Sequence, residues 1–240
     1  MYSIVMPSFP ANAEQIHPGL WRASQLARGV GRTVATGYDV LTGELPGGGW
    51  PVGTMIELLP QHAGVGELRL LAPALAGTGQ RAIVLIDPPQ IPNAAGLAYV
   101  GLSAERLVWL RPRSSADALW SAEQVLRAGT CSALIFWQNH IRPESLRRLQ
   151  VAAKAGETLF FMVRPLTQAV DPSPAELRLA LRPTDEGLTV EIVKRRGPAA
   201  ARPVLISLRP SAKLISSHGR VRRNTREPVY QPLEADVLEG

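Results

Sequence analysis

The chain has 240 residues, of which 45% are hydrophobic and 19% are charged, a composition typical of one globular α/β domain with irregular ends. Its single cysteine excludes an internal disulfide framework and any zinc site built from several cysteines. The sequence contains neither a secretory signal pattern nor an apolar run of about 18 residues, so we expect a cytoplasmic protein without membrane contact.

The net charge of +6 is distributed unevenly along the chain. Residues 191–226 hold ten Lys and Arg side chains and one acidic residue, whereas the rest of the chain is slightly acidic. Such a segment is either a contact surface for nucleic acid or an acidic partner, or a solvated tail, and the sequence leaves both interpretations open. The candidates for a non-specific DNA contact are Arg209, Lys213, Arg220, Arg222, Arg223 and Arg226.

In chain order, the sequence predicts three parts. Residues 1–32 form an N-terminal arm with a short helix, residues 33–208 form the core, and residues 209–240 form a basic, disordered tail. The beginning of the core, residues 36–53, is rich in turn residues.

Within the core, apolar runs typical of strands alternate with amphipathic runs typical of helices. The predicted strands are residues 56–59, 81–87, 107–110, 133–137 and 159–163. The predicted helices are residues 67–76, 94–100, 117–127 and 143–155. Runs of period two at 177–182 and 188–193 predict a hairpin, and residues 204–208 predict a last strand. The pattern predicts an α/β fold: a mostly parallel sheet, helices on both faces, and an antiparallel β extension at the C-terminal end.

Residues 54–71 have the layout of a phosphate-binding loop whose chemical groups are replaced. A strand runs into a glycine-containing turn and then into a helix, as in the P-loop motif G-x-x-x-x-G-K-[ST]. A carboxylate at the Lys position repels a triphosphate, and leucine at the Ser/Thr position cannot hold Mg²⁺. We therefore expect no nucleotide cofactor and no enzymatic activity. The degenerate loop consists of Pro60, Gly64, Gly66, Glu67 and Leu68.

The order of these elements resembles the core of the RecA recombinase over residues 33–208. Dispersed motifs carry a closer resemblance, and they are Gly19-Leu20-Trp21-Arg22, residues 44–51, Gly66-Glu67-Leu68-Arg69, Arg111-Pro112-Arg113 and Lys194-Arg195-Arg196-Gly197. On these motifs the chain resembles the ImuA family, the RecA-like accessory proteins of bacterial mutagenesis cassettes.

The ImuA resemblance implies a RecA-like, P-loop-type core and a non-catalytic role in SOS-induced translesion DNA synthesis, exerted through protein–protein contacts. It implies an ImuB-like protein and an error-prone C-family DNA polymerase as partners, with RecA as a further candidate. SulA-type proteins share part of this fold, so SulA-like inhibition of cell division through FtsZ is the alternative function. A third possible function is that of a RecA-like ATPase with altered motifs.

When the RecA motifs are matched to this sequence residue by residue, other catalytic positions fall on side chains that cannot perform the RecA chemistry. The catalytic glutamate falls on Pro89, the Walker B aspartate falls on Trp137, and the glutamine that couples ATP to DNA falls near Arg164. Phosphoryl transfer requires Lys, Mg²⁺ and a positioned water, so ATP turnover is not expected. The two RecA DNA loops are also short in this chain.

The same resemblance selects the partner contacts. RecA protomers join through an N-terminal segment that docks on the next core, while basic residues of a late strand reach across. For the basic residues the alternative is a solvated strand end. The positions selected are Leu20, Trp21, Leu26, Lys194, Arg195 and Arg196.

Other polar candidates are weaker. The four histidines lack the spacing of metal ligands, and although His62 and His140 could converge, we expect solvated loop histidines and no metal. Asp87 ends a strand of the parallel sheet, where it is a site residue or a turn cap. Cys131 precedes a buried strand and is predicted to be a core thiol.

The five tryptophans are predicted mostly as core anchors. Trp21 and Trp50 lie in irregular segments, so an exposed interface position is the alternative for both.

Overall fold

The structure is a computed structural model that describes residues 31–197 and 202–208. The predicted N-terminal helix and the predicted basic tail lie outside these residues, and the domain limits at 32/33 and 208/209 stay predictions.

The described residues form strands and α-helices in an alternating order. The strands are β1 (Thr33–Val34), β2 (Trp50–Pro51), β3 (Met55–Pro60), β4 (Ile83–Ile86), β5 (Leu107–Leu110), β6 (Ala133–Trp137), β7 (Leu159–Val163), β8 (Leu177–Thr184), β9 (Gly187–Lys194) and β10 (Val204–Ser207). The helices are α1 (Asp39–Thr42), α2 (Glu67–Ala76), α3 (Ala94–Tyr99), α4 (Ser115–Ala128) and α5 (Pro143–Ala153).

Eight strands form one sheet in the spatial order β10-β9-β8-β3-β7-β6-β4-β5, and β1 pairs with β2 in a separate antiparallel ribbon. Strands β3 to β8 run parallel to one another in this sheet. Strand β9 is antiparallel to β8, and β10 is antiparallel to β9. The predicted mixed α/β class is confirmed, whereas its assignment to the RecA-like P-loop type stays a prediction.

Each face of the sheet has its own hydrophobic core, because successive side chains of a strand point to opposite faces. Ile56 and Leu58 of β3 pack in the core that also holds residues of α1, α2 and α3. Phe160 and Met162 of β7 pack in the core that holds residues of α4 and α5. Both faces of the parallel strands are therefore covered, which explains why their sequences are continuously apolar.

Local signals explain most element boundaries. The Ser114 hydroxyl accepts a hydrogen bond from the Asp117 N–H at 3.1 Å, so α4 begins two residues before the predicted start. Helix α4 ends just before Gly129, whose φ of 60° is left-handed. The short helix α1 and strand β2 were not predicted, because residues 36–53 are dominated by turn-forming residues.

Two of the four tryptophans in the described residues are exposed, although the sequence predicts that tryptophans are mostly core anchors. Trp50 is fully buried and meets Phe161 edge-to-face, with ring centroids 5.4 Å apart, so it is a core residue. The prediction of Trp109 and Trp120 as core anchors is wrong, because they are 37% and 63% exposed. Trp109 lies on the edge strand β5, and Trp120 lies on the solvent side of α4.

A buried carboxylate lies in the middle of the apolar strand β3. Glu57 is fully buried, and it pairs with Arg164 at 3.0 Å and with Arg178 at 2.5 Å. The Ser173 hydroxyl donates a further hydrogen bond to it at 2.8 Å. Burying a carboxylate is costly unless it is paired and hydrogen-bonded, and these three partners meet that requirement.

The same cluster attaches the segment between β7 and β8 to the sheet. Arg178 donates hydrogen bonds to the backbone carbonyls of Gln168, Ala169 and Asp171 at 2.9, 3.0 and 3.1 Å. Residues 164–176 are thereby held against β3 and β8. We name Glu57, Arg164 and Arg178 the buried ion cluster.

We expect Glu57→Ala to destabilise the protein by about 3–5 kcal/mol, because it leaves two buried guanidinium groups without their carboxylate. Urea denaturation measures this free energy of unfolding. The matched control is Glu157→Ala, whose ion pair with Arg32 is exposed (63% and 68%) and whose loss we expect to cost less than about 1 kcal/mol. Equal losses in the two variants would contradict the structural role of the cluster.

Candidate functional site

The degenerate loop joins β3 to α2, as the sequence predicts. Gly64 and Gly66 have φ values of 80° and 119°, a left-handed region that favours glycine. A Cβ at Gly66 would also lie 3.2 Å from Cδ1 of Leu208. Both glycines are therefore required by the shape of the turn.

The carboxylate of Glu67 closes this turn from the inside. Glu67 is 4% exposed, and its Oε1 and Oε2 accept hydrogen bonds from the N–H groups of Gly64 and Gly66, both at 3.2 Å. It is also the first residue of α2, where the helix dipole favours negative charge. In a P-loop, N–H groups of this turn and the helix N-terminus bind phosphate. Here the chain's own carboxylate occupies that anion position.

We expect Glu67→Ala to lower stability by about 1 kcal/mol, since the two N–H groups lose their acceptor. We further expect inorganic phosphate to raise the Tm of Glu67→Ala but not that of the wild type, because only the variant has an empty anion position. Thermal denaturation in phosphate and in chloride at equal ionic strength makes this comparison. Equal stabilisation of both proteins by phosphate would show that Glu67 does not occupy the position.

A cleft of about 310 Å³ opens beside this loop, at the C-terminal ends of β3, β4, β6 and β7. In α/β proteins ligands bind at this edge of a parallel sheet. We name this space the strand-end cleft. Its lining includes His62, Asp87, Pro89, Trp137, Gln138 and Arg164.

Asp87 lies at the wall of the strand-end cleft in an unusual conformation. Its φ is 50°, a left-handed value that Asp tolerates better than most residues, and among the described residues it is the one non-glycine with positive φ. Burial raises the pKa of its carboxyl group, and the nearby Arg111 opposes that shift. Backbone strain at a cleft is typical of functional positions.

The positions to which the RecA resemblance assigns catalytic roles meet in the same cleft. Pro89 and Trp137, to which it assigns the catalytic glutamate and the Walker B aspartate, both line it. Arg164, near the position of the ATP-coupling glutamine, lines it as well and belongs to the buried ion cluster. The structure thus brings the predicted positions together, with an indole, a proline ring and a guanidinium in place of ATPase groups.

The basic residues predicted as partner contacts lie at the end of β9 and beyond. The Lys194 ammonium donates to the Ser173 carbonyl at 2.9 Å, and Arg196 is exposed and 4.0 Å from Glu176. Arg195 is held in an ion pair with Glu44 at 3.0 Å. None of the three lines the strand-end cleft.

Other predicted contacts fall outside the described residues. They are Leu20, Trp21 and Leu26 of the arm and the six basic residues beyond position 208. The roles assigned to the arm, to the tail and to Lys194, Arg195 and Arg196 all stay predictions.

The remaining candidates have separate positions. His62 lines the strand-end cleft, whereas His140 is exposed and does not. Within residues 31–197 and 202–208, no three His, Cys, Asp or Glu side chains cluster as metal ligands. Cys131 is buried, as predicted, and burial raises the pKa of its thiol. In the described part of the chain, no helix is both long and apolar enough to cross a membrane.

The sequence analysis missed the buried ion cluster. A signal was present, because Glu57 interrupts the apolar run of β3 and Arg178 interrupts that of β8. The register places these two residues opposite each other, and such pairing cannot be derived without the strand order.

No protein-family model matches the chain. Over 112 residues it is 29% identical to the cell division inhibitor SulA of Photorhabdus laumondii, which covers 46% of this chain and 63% of that protein. It is 26% identical over 98 residues to the SulA of Edwardsiella piscicida, covering 40% and 58%. The chain therefore matches less than two thirds of the length of each. The crystal structure of SulA from Pseudomonas aeruginosa is 28% identical, with a TM-score of 0.39, and covers 46% of this chain and 97% of that one.

Proposed function

We propose that this chain is a non-enzymatic protein of the bacterial DNA-damage response that acts in the cytoplasm by binding other proteins. The observation that carries the proposal is the carboxylate of Glu67, which occupies the anion position of a P-loop-like turn. The similarity to SulA cell division inhibitors supports the link to the DNA-damage response and a role without catalysis.

The electrostatics of the loop argue against nucleotide hydrolysis. A triphosphate would have to displace the Glu67 carboxylate from two N–H groups and then lie beside it. Trp137 and Pro89 supply neither a Mg²⁺ ligand nor a base for the attacking water. These features support a binding role for the scaffold.

The first candidate partner is FtsZ, which a SulA-like division inhibitor would bind. The comparisons favour this assignment, since both curated relatives are SulA proteins. The longer SulA match covers 46% of the chain, so the FtsZ assignment rests on that part.

The second candidate is an accessory role in translesion synthesis, beside an ImuB-like protein and an error-prone C-family polymerase, with RecA as a further partner. The observation that favours it is length, because the longer SulA match leaves more than half of the chain without a counterpart. The ImuA-like motifs are spread over most of the chain, from Gly19 to Gly197.

We expect the full-length protein to bind its partner without ATP and to release no phosphate from ATP. Light scattering of FtsZ polymers and capture of an ImuB-like protein, each with and without nucleotide, measure the first expectation. Suppression of FtsZ polymers selects the first candidate, and capture of the ImuB-like protein selects the second. ATP hydrolysis that disappears in Glu67→Ala would contradict the non-enzymatic assignment.

We expect Lys194→Glu combined with Arg196→Glu to slow association with that partner and to reduce its salt dependence, because rim charges act mainly on the association rate. Surface plasmon resonance at several salt concentrations measures both quantities. The control is Lys154→Glu, which changes an exposed charge at the end of α5. The same loss of rate in the control would indicate a general charge effect and not a contact at the end of β9.

A further inference from the structure

We propose that the strand-end cleft and an apolar groove beside it form one docking site for an extended protein segment that carries a carboxylate next to a large apolar side chain. The inference rests on the proposed function in one respect, namely that the chain binds proteins. It adds the surface that does so and the chemistry of the segment that it recognises.

The apolar groove has a volume of about 290 Å³ and lies between the degenerate loop and α3. Ile91, on its wall, is 73% exposed, an unusual degree for a large aliphatic side chain in a concave position. Pro89 and Trp137 line both the groove and the strand-end cleft, so the two spaces share a wall. The apolar lining includes Leu68, Pro89, Ile91, Pro92, Leu97 and Trp137.

Two buried donors at the strand-end cleft lack an acceptor. Trp137 and Arg164 line the cleft and are 8% and 2% exposed, and Nε1 of Trp137 and Nε of Arg164 have no hydrogen-bond partner among the described residues. An unsatisfied buried donor costs about 1–3 kcal/mol. Because both groups are donors, the occupant that relieves this cost supplies acceptor oxygens.

The charge around Arg164 selects a negatively charged acceptor. The buried ion cluster holds two guanidinium groups and one carboxylate, Glu57. Asp171 is 3.8 Å from Arg164 but 49% exposed, so solvent screens its charge. A carboxylate at the cleft would balance the remaining positive charge and form charge-assisted hydrogen bonds.

Other features of the site favour a carboxylate on a protein over a phosphate group. The nearest phosphate position already holds the carboxylate of Glu67. Asp87 also lines the cleft, and its charge would repel a polyphosphate or a nucleic-acid backbone more strongly than a single carboxylate. The groove is lined mainly by apolar side chains, which a Leu or Phe side chain beside the carboxylate would cover and an inorganic ion would not.

The test uses the full chain and fluorescein-labelled decapeptides that carry one Asp beside a Leu, Phe or Trp. Fluorescence anisotropy measures binding, and each peptide has a matched control in which Asp is replaced by Asn. We expect the Asn peptides to bind at least tenfold more weakly, because they cannot balance the charge at Arg164. Equal binding of the Asp and Asn peptides would overturn the assignment of a carboxylate.

Three protein variants locate the site. Ile91→Asp places a charge in the groove at an exposed position and should weaken binding at least tenfold. Trp137→Phe removes the indole N–H together with the five-membered ring that carries it and should weaken binding about fivefold. Val151→Asp is the control, because Val151 is 66% exposed on α5 and lines neither space. Circular dichroism checks that each variant is folded. Because Ile91 is exposed, Ile91→Asp still tests the site if Trp137→Phe unfolds. Peptide affinity unchanged in Ile91→Asp would overturn the proposal.

Three further outcomes distinguish a partner protein from the chain's own C-terminal segment and from a second copy of the chain. Peptide binding that appears only after deletion of residues 227–240 would overturn the assignment to a partner, because that acidic end of the chain would then be the occupant. A dimer that the peptide dissociates, measured by sedimentation velocity, would overturn it in favour of a second copy. If the chain captures FtsZ or the ImuB-like protein equally well with Ile91→Asp, the proposed function stands and this docking site is wrong.

Discussion

The structure depends on one buried carboxylate that pairs with two buried arginines. Glu57 lies in β3 between β7 and β8, and it holds Arg164 and Arg178 within 3.0 Å. Arg178 in turn holds the backbone of residues 168–171. Because Ser173 donates to Glu57 and accepts from Lys194, the cluster also connects the centre of the sheet to the end of β9. One hydrogen-bonded cluster therefore links the core, the wall of the strand-end cleft and the basic end of β9.

A second carboxylate acts in a comparable way at the turn before α2. Glu67 satisfies the N–H groups that a nucleotide-binding protein would offer to phosphate. The layout of a phosphate-binding loop is thereby kept as a stable turn without an external anion. Trp137 and Pro89 form an apolar wall that the strand-end cleft and the apolar groove share. An indole and a proline ring at a cleft provide apolar contact area of the kind found at the core of protein interfaces.

The similarity to SulA and the architecture of the whole chain support different levels of the functional proposal. Similarity to SulA over 46% of the chain supports a place in the DNA-damage response, whereas the protein-binding mode of action belongs to the proposal. The full sheet adds β9 and β10 as an antiparallel extension, with Lys194 at the end of β9 and the basic residues beyond it. A fold alone does not define a function, so the partner of this chain is assigned by the proposal and not by the sheet.

The sequence by itself determined the α/β class, the bounds of α2 and of β5, β6 and β7, and the glycine-containing turn between β3 and α2. These features are encoded in short stretches by apolar periodicity, by the glycine-containing turn and by residue type at motif positions. Only the tertiary structure decided that Glu57 pairs with Arg164 and Arg178, that Glu67 fills the anion position, and that Trp109 and Trp120 are exposed. The ion pairs join residues more than 100 positions apart, and exposure depends on which strand lies at the edge of the sheet. Strand order and long-range pairing arise from the packing of the whole chain, so no local pattern specifies them.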